Sequence, residues 1–473
     1  MEEQEMQARG KLGLLPLVAL VIGSVIGGGA FNLPSDITQG AGTGAILIGW
    51  LITGIGILAL GLSFQNLNNR RPDLDGGIFS YAKAGFGQYI GFNSAWGYWC
   101  SAFLGNVAFA TLLINAAGYF YPKFTGKNVS SIVAASIVLW AVHILVLQGV
   151  KSASIVNMIT TAAKLIPILL FIVITIFAFD PAVFKTQFWG TADFSLGDVF
   201  PQVKSTMLIT LWVFLGFEGA VLLSGRAAYR RDVGRATVIG LISTLAIYVL
   251  ISVASLGVLD AAELSKLKNP SLAYVLEAVT GKWGASLVNI GLIVSLLGAW
   301  LGWTIVTAEI PYAAAKEKLF PNFFLKENKN QAPSRSLLVS NLLVQIFLLT
   351  FLFSEKPYQL AFSLASSAIL LPYLFSALYQ IKHSWQHKSK NRIWNLLLGI
   401  IAAAYSVWLI YAGGLGYLLL TILLYLPGML IYSAAQKQKQ QKLFKGYEPW
   451  VAATILVVSV VAIIMLIRGE ISI

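Results

Sequence analysis

The chain has 473 residues, of which 57% are hydrophobic and only 11% charged, and its mean hydropathy is +0.75. Soluble domains carry about 25% charged residues, so this composition cannot clothe a compact globule in polar surface, and it excludes an ordinary cytosolic enzyme. The net charge of +13 would point to nucleic acid in a soluble protein, but here its meaning depends on where the charges fall.

A hydrocarbon core about 30 Å thick takes about 20 apolar residues per crossing helix. Residues 1–12 read as a cytoplasmic amino terminus. The apolar run that follows is longer than a signal peptide's and lacks a small-residue cleavage site, so it reads as an uncleaved first span at 13–38. Further spans follow at 43–66, 88–119, 129–149, 152–178, 199–225, 235–258, 282–314, 335–354, 358–381, 393–411 and 414–434. A polar, basic cytoplasmic loop at 435–448 then leads to a thirteenth candidate at 449–467, which reads as an appendage to a twelve-helix body. With the amino terminus cytoplasmic, 23 of the 33 Lys and Arg lie on the cytoplasmic side and 9 on the other, the bias expected of a polytopic membrane protein. The +13 therefore reports topology in a bilayer and gives no support for a nucleic-acid partner. One basic residue, Lys164, is left inside a span.

Two spans carry glycine where a membrane helix would otherwise run unbroken. The first reads GSVIGGGAFNLP, with Gly27, Gly28 and Gly29 in its middle and Pro34 beyond. The sixth reads LWVFLGFEGAVLLSG, with Gly216 and Gly219 flanking the carboxylate of Glu218. One reading is close helix packing through small residues. The other is that both helices unwind, at corresponding positions of two five-helix repeats covering 13–178 and 199–381, with two further helices at 393–434. Free N–H groups near Gly28, Gly29 and Ala30 then face an anion, and free carbonyls near Ile26 and at Val213, Phe214 and Leu215 face a cation. A carboxylate and an ammonium held by backbone make an α-amino-acid head group, and glycine is needed because a side chain would block the approach. A dinucleotide-binding loop would need a strand before the glycines, which this sequence lacks.

Trp212, Trp303, Tyr98 and Phe109 are candidates for recognising a cationic side chain, since an aromatic face gives a desolvated cation about 2 kcal/mol or more. Their alternative is an aromatic belt at the lipid interface, which Trp212 escapes by lying six residues before Glu218. Glu218 and Lys164 are ionisable groups at membrane depth and so candidates by default. Glu218 has five readings: pairing with a substrate cation, a gate hydrogen bond, a proton carrier, a structural ion pair, or a permanently protonated acid. Glu309 reads as a pathway gate or an interfacial charge. Cys100 is the only cysteine, so neither an intrachain disulfide nor a thiolate cluster can form. His143, His383 and His387 give no metal site, and the last two, although spaced for one helical face, read as part of a solvated basic loop. A channel would want a continuous polar lining and an enzyme a nucleophile and base, and neither pattern is present.

GSVIGGGAF in the first span, Arg71 to Gly87 after the second, WGYWCSAFLGN in the third, LWVFLGFEGA in the sixth and Leu301 to Thr304 in the eighth together resemble the amino acid/polyamine/organocation superfamily. The closest likeness is to its basic amino acid/polyamine antiporter branch, in particular the arginine/ornithine antiporters. The resemblance covers the first twelve spans. It implies an all-α polytopic fold of LeuT type, five plus five inverted helices with two or three more at the carboxyl end. It also implies a secondary antiporter in the cell membrane, exchanging arginine for its product ornithine by alternating access, with no enzymatic step, cofactor or metal. Other pairs within the same class are lysine/cadaverine, histidine/histamine and tyrosine/tyramine, and a proton-coupled importer is a further alternative. The partners implied are amino acid or amine substrates and the lipid bilayer, and a homodimer is left open.

The branch's site carries over by analogy with its arginine/agmatine exchanger. Gly27, Gly28 and Gly29 match the break that binds the α-carboxylate, although Gly28 stands where that relative has a serine. Trp212 matches the tryptophan that closes over the substrate side chain, and Glu218 the carboxylate of an inner gate. Trp303 matches the aromatic that separates the site from the far side, Tyr98 a gate tyrosine, and Asn106 a contact to the guanidinium. Tyr373 would complete the gate. Lys164, in TTAAKLIP, resembles the lysine that replaces a second sodium ion in sodium-independent members, and it has the alternative role of releasing a proton during the cycle.

Overall fold

A computed structural model describes residues 13–74, 76–124, 128–149, 153–191, 193–218, 230–354, 356–387 and 391–471. The amino terminus at 1–12, Gly219 and the end of the sixth span lie outside the described residues. In chain order the helices are α1 (Leu14–Val25), α2 (Leu33–Thr38), α3 (Thr43–Arg70), α4 (Ile78–Phe86), α5 (Gln88–Phe120), α6 (Val129–Gln148), α7 (Ala153–Phe177), α8 (Pro181–Lys185) and α9 (Leu196–Phe214). They continue with α10 (Arg230–Leu256), α11 (Ala261–Leu264), α12 (Ser271–Thr280), α13 (Lys282–Lys316), α14 (Ser334–Leu348), α15 (Pro357–Gln386), α16 (Arg392–Gln438) and α17 (Glu448–Ile467). The described residues include no strand, and nine of their helices are long and apolar enough to cross a membrane. The protein is an all-α polytopic membrane protein.

Local chemistry sets several helix ends. Asn128, the first residue of an Asn-Val-Ser triplet, caps α6 by accepting the Ser131 N–H at 2.8 Å. Asp260 and Glu263 form a reciprocal capping box on α11. The 47 residues of α16 would make a rod about 70 Å long, twice the hydrocarbon thickness. Gly414 divides it, at φ 81° and ψ 162°, a conformation that glycine adopts without steric cost.

The chain forms two compact units. The first comprises Met1–Asp73, Thr161–Gly291 and Gln380–Ser406. Here α10 packs on α1 through Leu17, Val233 and Ala236, and closely enough that a methyl group on Gly240 would meet Val21 at 2.4 Å. Polar pairs stitch the interior, with Trp50 Nε1 donating to Ser252 Oγ at 3.1 Å and the Thr53 and Thr210 hydroxyls 2.7 Å apart. Gln380 Nε2 donates to Asn66 Oδ1 at 3.0 Å, and Asn66 Nδ2 to Asn395 Oδ1 at 3.1 Å. His383 departs from the solvated loop expected for it, whereas His387, just past the helix end, is exposed as expected. Helix α15 runs to Gln386 and leaves His383 only 6% exposed, with the two rings 4.3 Å apart. At this end of the helix the Arg70 guanidinium donates to Ser384 Oγ and the His387 carbonyl, each at 3.4 Å. No group of three metal-ligating side chains occurs among the described residues.

The second unit comprises Leu74–Thr160, Leu292–Tyr379 and Val407–Ile473. Its interior is aromatic. Phe92, Trp96 and Trp99, spaced to share one face of α5, stack with Tyr89, Phe320 and Tyr432 at centroid distances such as 5.2 Å for Phe92–Phe320 and 4.8 Å for Tyr89–Tyr432. Trp99 Nε1 donates to Ser340 Oγ at 2.9 Å, which joins α5 to α14. The buried Glu448 carboxylate, at the start of α17, accepts the Tyr89 N–H at 2.8 Å and the Lys445 N–H at 2.9 Å. It thereby satisfies an amide in the first turn of α5, where no intrahelical acceptor exists.

Candidate functional site

In the first unit α1 stops at Val25. Ile26 and Gly27 are extended, a single 3-10 turn spans Gly28–Phe31, and α2 starts at Leu33 with Pro34 in its first turn. A run of three glycines is a poor helix former, so the chain yields here at little cost. Leading N–H groups of a helical segment find no acceptor within it, so those of the buried Gly28 and Gly29 have no intrahelical partner at the break. The trailing carbonyls of α1 are accounted for almost one by one. Ile22 O accepts the Ile26 N–H at 2.9 Å, Gly23 O accepts the Lys164 ammonium, and Val25 O lies 3.2 Å from the Tyr248 hydroxyl.

Helix α9 ends the same way. Leu215 leaves helical geometry at ψ 134° and Gly216 adopts φ 103°, in the left-handed region that favours glycine. Trp212 O accepts the Leu215 N–H at 3.1 Å and Phe214 O the Phe217 N–H at 3.2 Å. Val213 O accepts the Tyr248 hydroxyl at 2.7 Å. Of the carbonyls expected to face a cation, at Ile26 and from Val213 to Leu215, those of Val213 and Phe214 each already accept one hydrogen bond, which leaves each a single further lone pair. Phe214 is packed edge-on against Tyr248, with centroids 5.3 Å apart.

The two breaks touch. A methyl group on Gly29 would lie 2.7 Å from Trp212 Nε1 and 3.1 Å from Val213 Cγ1, so the missing side chain is what lets the indole rest on the backbone. The Glu218 carboxylate is buried and folds back to accept the Gly216 N–H at 3.1 Å, giving it a share in holding the second break. Lys164 is 5% exposed, and its ammonium meets the carbonyl end of α1, where the helix dipole favours positive charge.

In the second unit Asn106 is fully buried on α5. The Thr307 hydroxyl donates to Trp303 O at 2.6 Å, so it accepts from Asn106 Nδ2 at 3.2 Å. That fixes the amide's orientation and leaves Asn106 Oδ1 a buried acceptor with no hydrogen-bond partner. Such an atom costs about 1–3 kcal/mol unless something donates to it. Phe109 is buried three residues further along α5, Tyr98 and Trp303 are half-buried, and Tyr373 is fully buried on α15 just after Pro372.

A family model described as amino acid permease matches residues 12–428. The chain belongs to the amino acid permease family. Among permeases similar to it, the arginine/ornithine antiporter of Pseudomonas aeruginosa is 48% identical over 464 residues, covering 96% of each chain. The arginine/ornithine antiporter of Latilactobacillus sakei is 43% identical over 98% of each chain. The arginine/agmatine antiporter of Chlamydia pneumoniae is 41% identical, again over 98% of each. These permeases are transporters, and the present chain is likewise a membrane protein that moves amino acids.

Four residues of this permease that shape the first break lie outside the set expected from the sequence. Tyr248 binds both interrupted helices, yet a tyrosine within an apolar span looks like part of an interfacial belt. Asn32 Nδ2 donates to Asp36 Oδ1 at 2.8 Å, while Asn32 Oδ1 accepts the Ser271 N–H at 3.1 Å and Ser271 Oγ accepts the Ser35 N–H at 3.0 Å. This network ties α2 to the start of α12. The signal was present in Asp36, a carboxylate only 2% exposed that falls inside the span read at 13–38.

Proposed function

We propose that this permease is a secondary antiporter that takes up arginine in exchange for ornithine by alternating access. The full-length likeness to arginine/ornithine antiporters carries this reading. Its residues 13–178 and 199–381 act as two inverted five-helix repeats, with an interrupted helix opening each one, followed by helices at 393–434 and 449–467. The excess of Lys and Arg on one set of loops supports an amino terminus in the cytoplasm and a place in the cell membrane.

The amides of Gly28 and Gly29, with Gly27 giving the chain its extended turn, receive the α-carboxylate. The carbonyls of Ile26 and Leu215 receive the α-ammonium, and Phe214 packs behind them. Trp212 and Trp303 offer aromatic faces to the cationic side chain, Phe109 an apolar wall, and Asn106 Oδ1 accepts a guanidinium N–H. Tyr98, Glu218 and Tyr373 serve as gates. Lys164 stands in place of a sodium ion at the end of α1. Arginine and ornithine each carry one net positive charge, so one-for-one exchange is electroneutral and the ornithine gradient can drive it without a coupling ion.

The likeness to arginine/agmatine antiporters supports a second reading, in which a doubly charged amine leaves and net charge moves. Proteoliposomes separate the two. Vesicles loaded with ornithine should take up labelled arginine at a rate indifferent to an imposed membrane potential. Equal uptake into empty vesicles would end the antiport reading, and potential-driven exchange with internal agmatine alone would replace ornithine.

A further inference from the structure

A corner of the second unit gathers ammonium groups beside two membrane-crossing helices. Helix α16 ends at Gln438 and α17 begins at Glu448, and the nine residues between them carry Lys439, Lys442 and Lys445. Lys439 Nζ donates to the Lys318 carbonyl, which also accepts from Gln88 Nε2 at 3.2 Å. Lys83 on α4 donates to the Glu317 carbonyl at 2.9 Å and pairs with its carboxylate at 3.3 Å. Lys318 itself holds φ 62°, a backbone conformation uncommon for a residue with a side chain. Burial lowers the Lys439 ammonium to about 8, and the charges of Lys83 and Lys318 push the same way. Glu317 offsets one of these three charges. Glu448 is the other carboxylate at this corner, and its oxygens are engaged by the Tyr89 and Lys445 amides.

The surroundings say what kind of anion suits the place. Leu443, Tyr447 and Trp450 are exposed, Trp450 at 77%, and exposed valines continue along α17 through Val457 and Val460. Exposed aromatics at the end of an exposed aliphatic stripe mark the level at which hydrocarbon gives way to lipid headgroups. Lys442 and Lys445 are exposed at that same level. Basic residues immediately beside a crossing helix attract anionic lipid by about fivefold each.

We infer that Lys83, Lys318 and Lys439, with Lys442 and Lys445 at the rim, bind the phosphate-bearing headgroup of an anionic phospholipid. The headgroup sits in the basic corner while its acyl chains lie along the exposed face of α17. Native mass spectrometry of the purified full-length protein tests this with phosphatidylglycerol and phosphatidylcholine as probes. The wild type should retain phosphatidylglycerol selectively. The triple variant Lys83→Gln, Lys318→Gln, Lys439→Gln should retain it about tenfold less or weaker still, while the triple arginine variant keeps it. Equal retention of both lipids by the wild type, or undiminished retention by the glutamine variant, would overturn the site. Displacement of the lipid by excess inorganic phosphate would overturn the lipid assignment in favour of a free anion. The wild-type selectivity and displacement results decide the matter even if the glutamine variant does not fold.

Discussion

The hydroxyl of Tyr248 lies 2.7 Å from the carbonyl of Val213, and it is 3.2 Å from that of Val25 as well. A phenol has one proton, so it serves one carbonyl fully and the other by proximity, and in doing so it pins the ends of α1 and α9 to α10. Replacing Tyr248 with Phe keeps the ring against Trp50 and Phe214 but removes that proton. Leaving a buried carbonyl without a donor costs about 1–3 kcal/mol. A lower thermal unfolding midpoint and slower arginine exchange are expected, and a variant unchanged in both would show that the bridge is dispensable.

Gly29→Ala should disrupt the contact between the two helix breaks. The added carbon would sit 2.7 Å from Trp212 Nε1, and either the indole or the break must move. Arginine binding, followed by calorimetry, should be lost. In Trp212→Leu the loss of an aromatic face worth about 2 kcal/mol should weaken arginine about thirtyfold, and adding Gly29→Ala to it should cost much less than Gly29→Ala alone, since neighbours in contact are not additive. Strict additivity would mean that the two residues do not share a site.

Asn106→Leu removes the unpartnered acceptor while roughly keeping volume. A hydrogen bond to a charged group contributes about 1.5–3 kcal/mol, so arginine affinity should fall about tenfold or more, with the fold kept because Oδ1 has no partner to lose and the Thr307 hydroxyl, deprived of Nδ2, still donates to Trp303 O. Undiminished arginine affinity would take Asn106 off the binding surface.

Lys164→Met deprives Gly23 O of its donor and removes a cation from the carbonyl end of α1. Exchange in proteoliposomes should be abolished. Lys164→Arg keeps the charge at a different reach and should retain part of the activity. Equal activity in the Met and Arg variants would show that positive charge at this point is not required.

Glu448→Ala leaves the Tyr89 and Lys445 amides without their acceptor. Helix caps of this kind are worth about 0.5–2 kcal/mol, so the thermal midpoint should drop while arginine affinity stays at the wild-type value. A drop in affinity without a loss of stability would point to a role in transport instead.

Much of this was legible in the sequence because glycine and charge are loud signals in an apolar chain. GSVIGGGAF marked the first break, and the pairing of Gly216 with Glu218 marked the second. The tertiary partners of those breaks were quieter. Tyr248 has no local pattern that sets it apart from a lipid-interface tyrosine, and Asn32 and Ser271 become partners only when segments 239 residues apart in sequence meet. Helices α4 and α12 lie in stretches read as loops, since each is too short to span and announces itself only by packing. His383 looked solvated because its neighbours are lysines, whereas it is buried on a helix that Arg70 contacts from a distant part of the chain.

The Glu448 carboxylate has a consequence for how the protein is made. Tyr89 and its acceptor are 359 residues apart, so during synthesis α5 enters the membrane long before the group that finishes its first turn exists. Until α17 leaves the ribosome, that amide must be served by water or lipid headgroups. A segment translated 359 residues later therefore closes the first turn of α5, and a chain released before it would carry an open seam at its aromatic core.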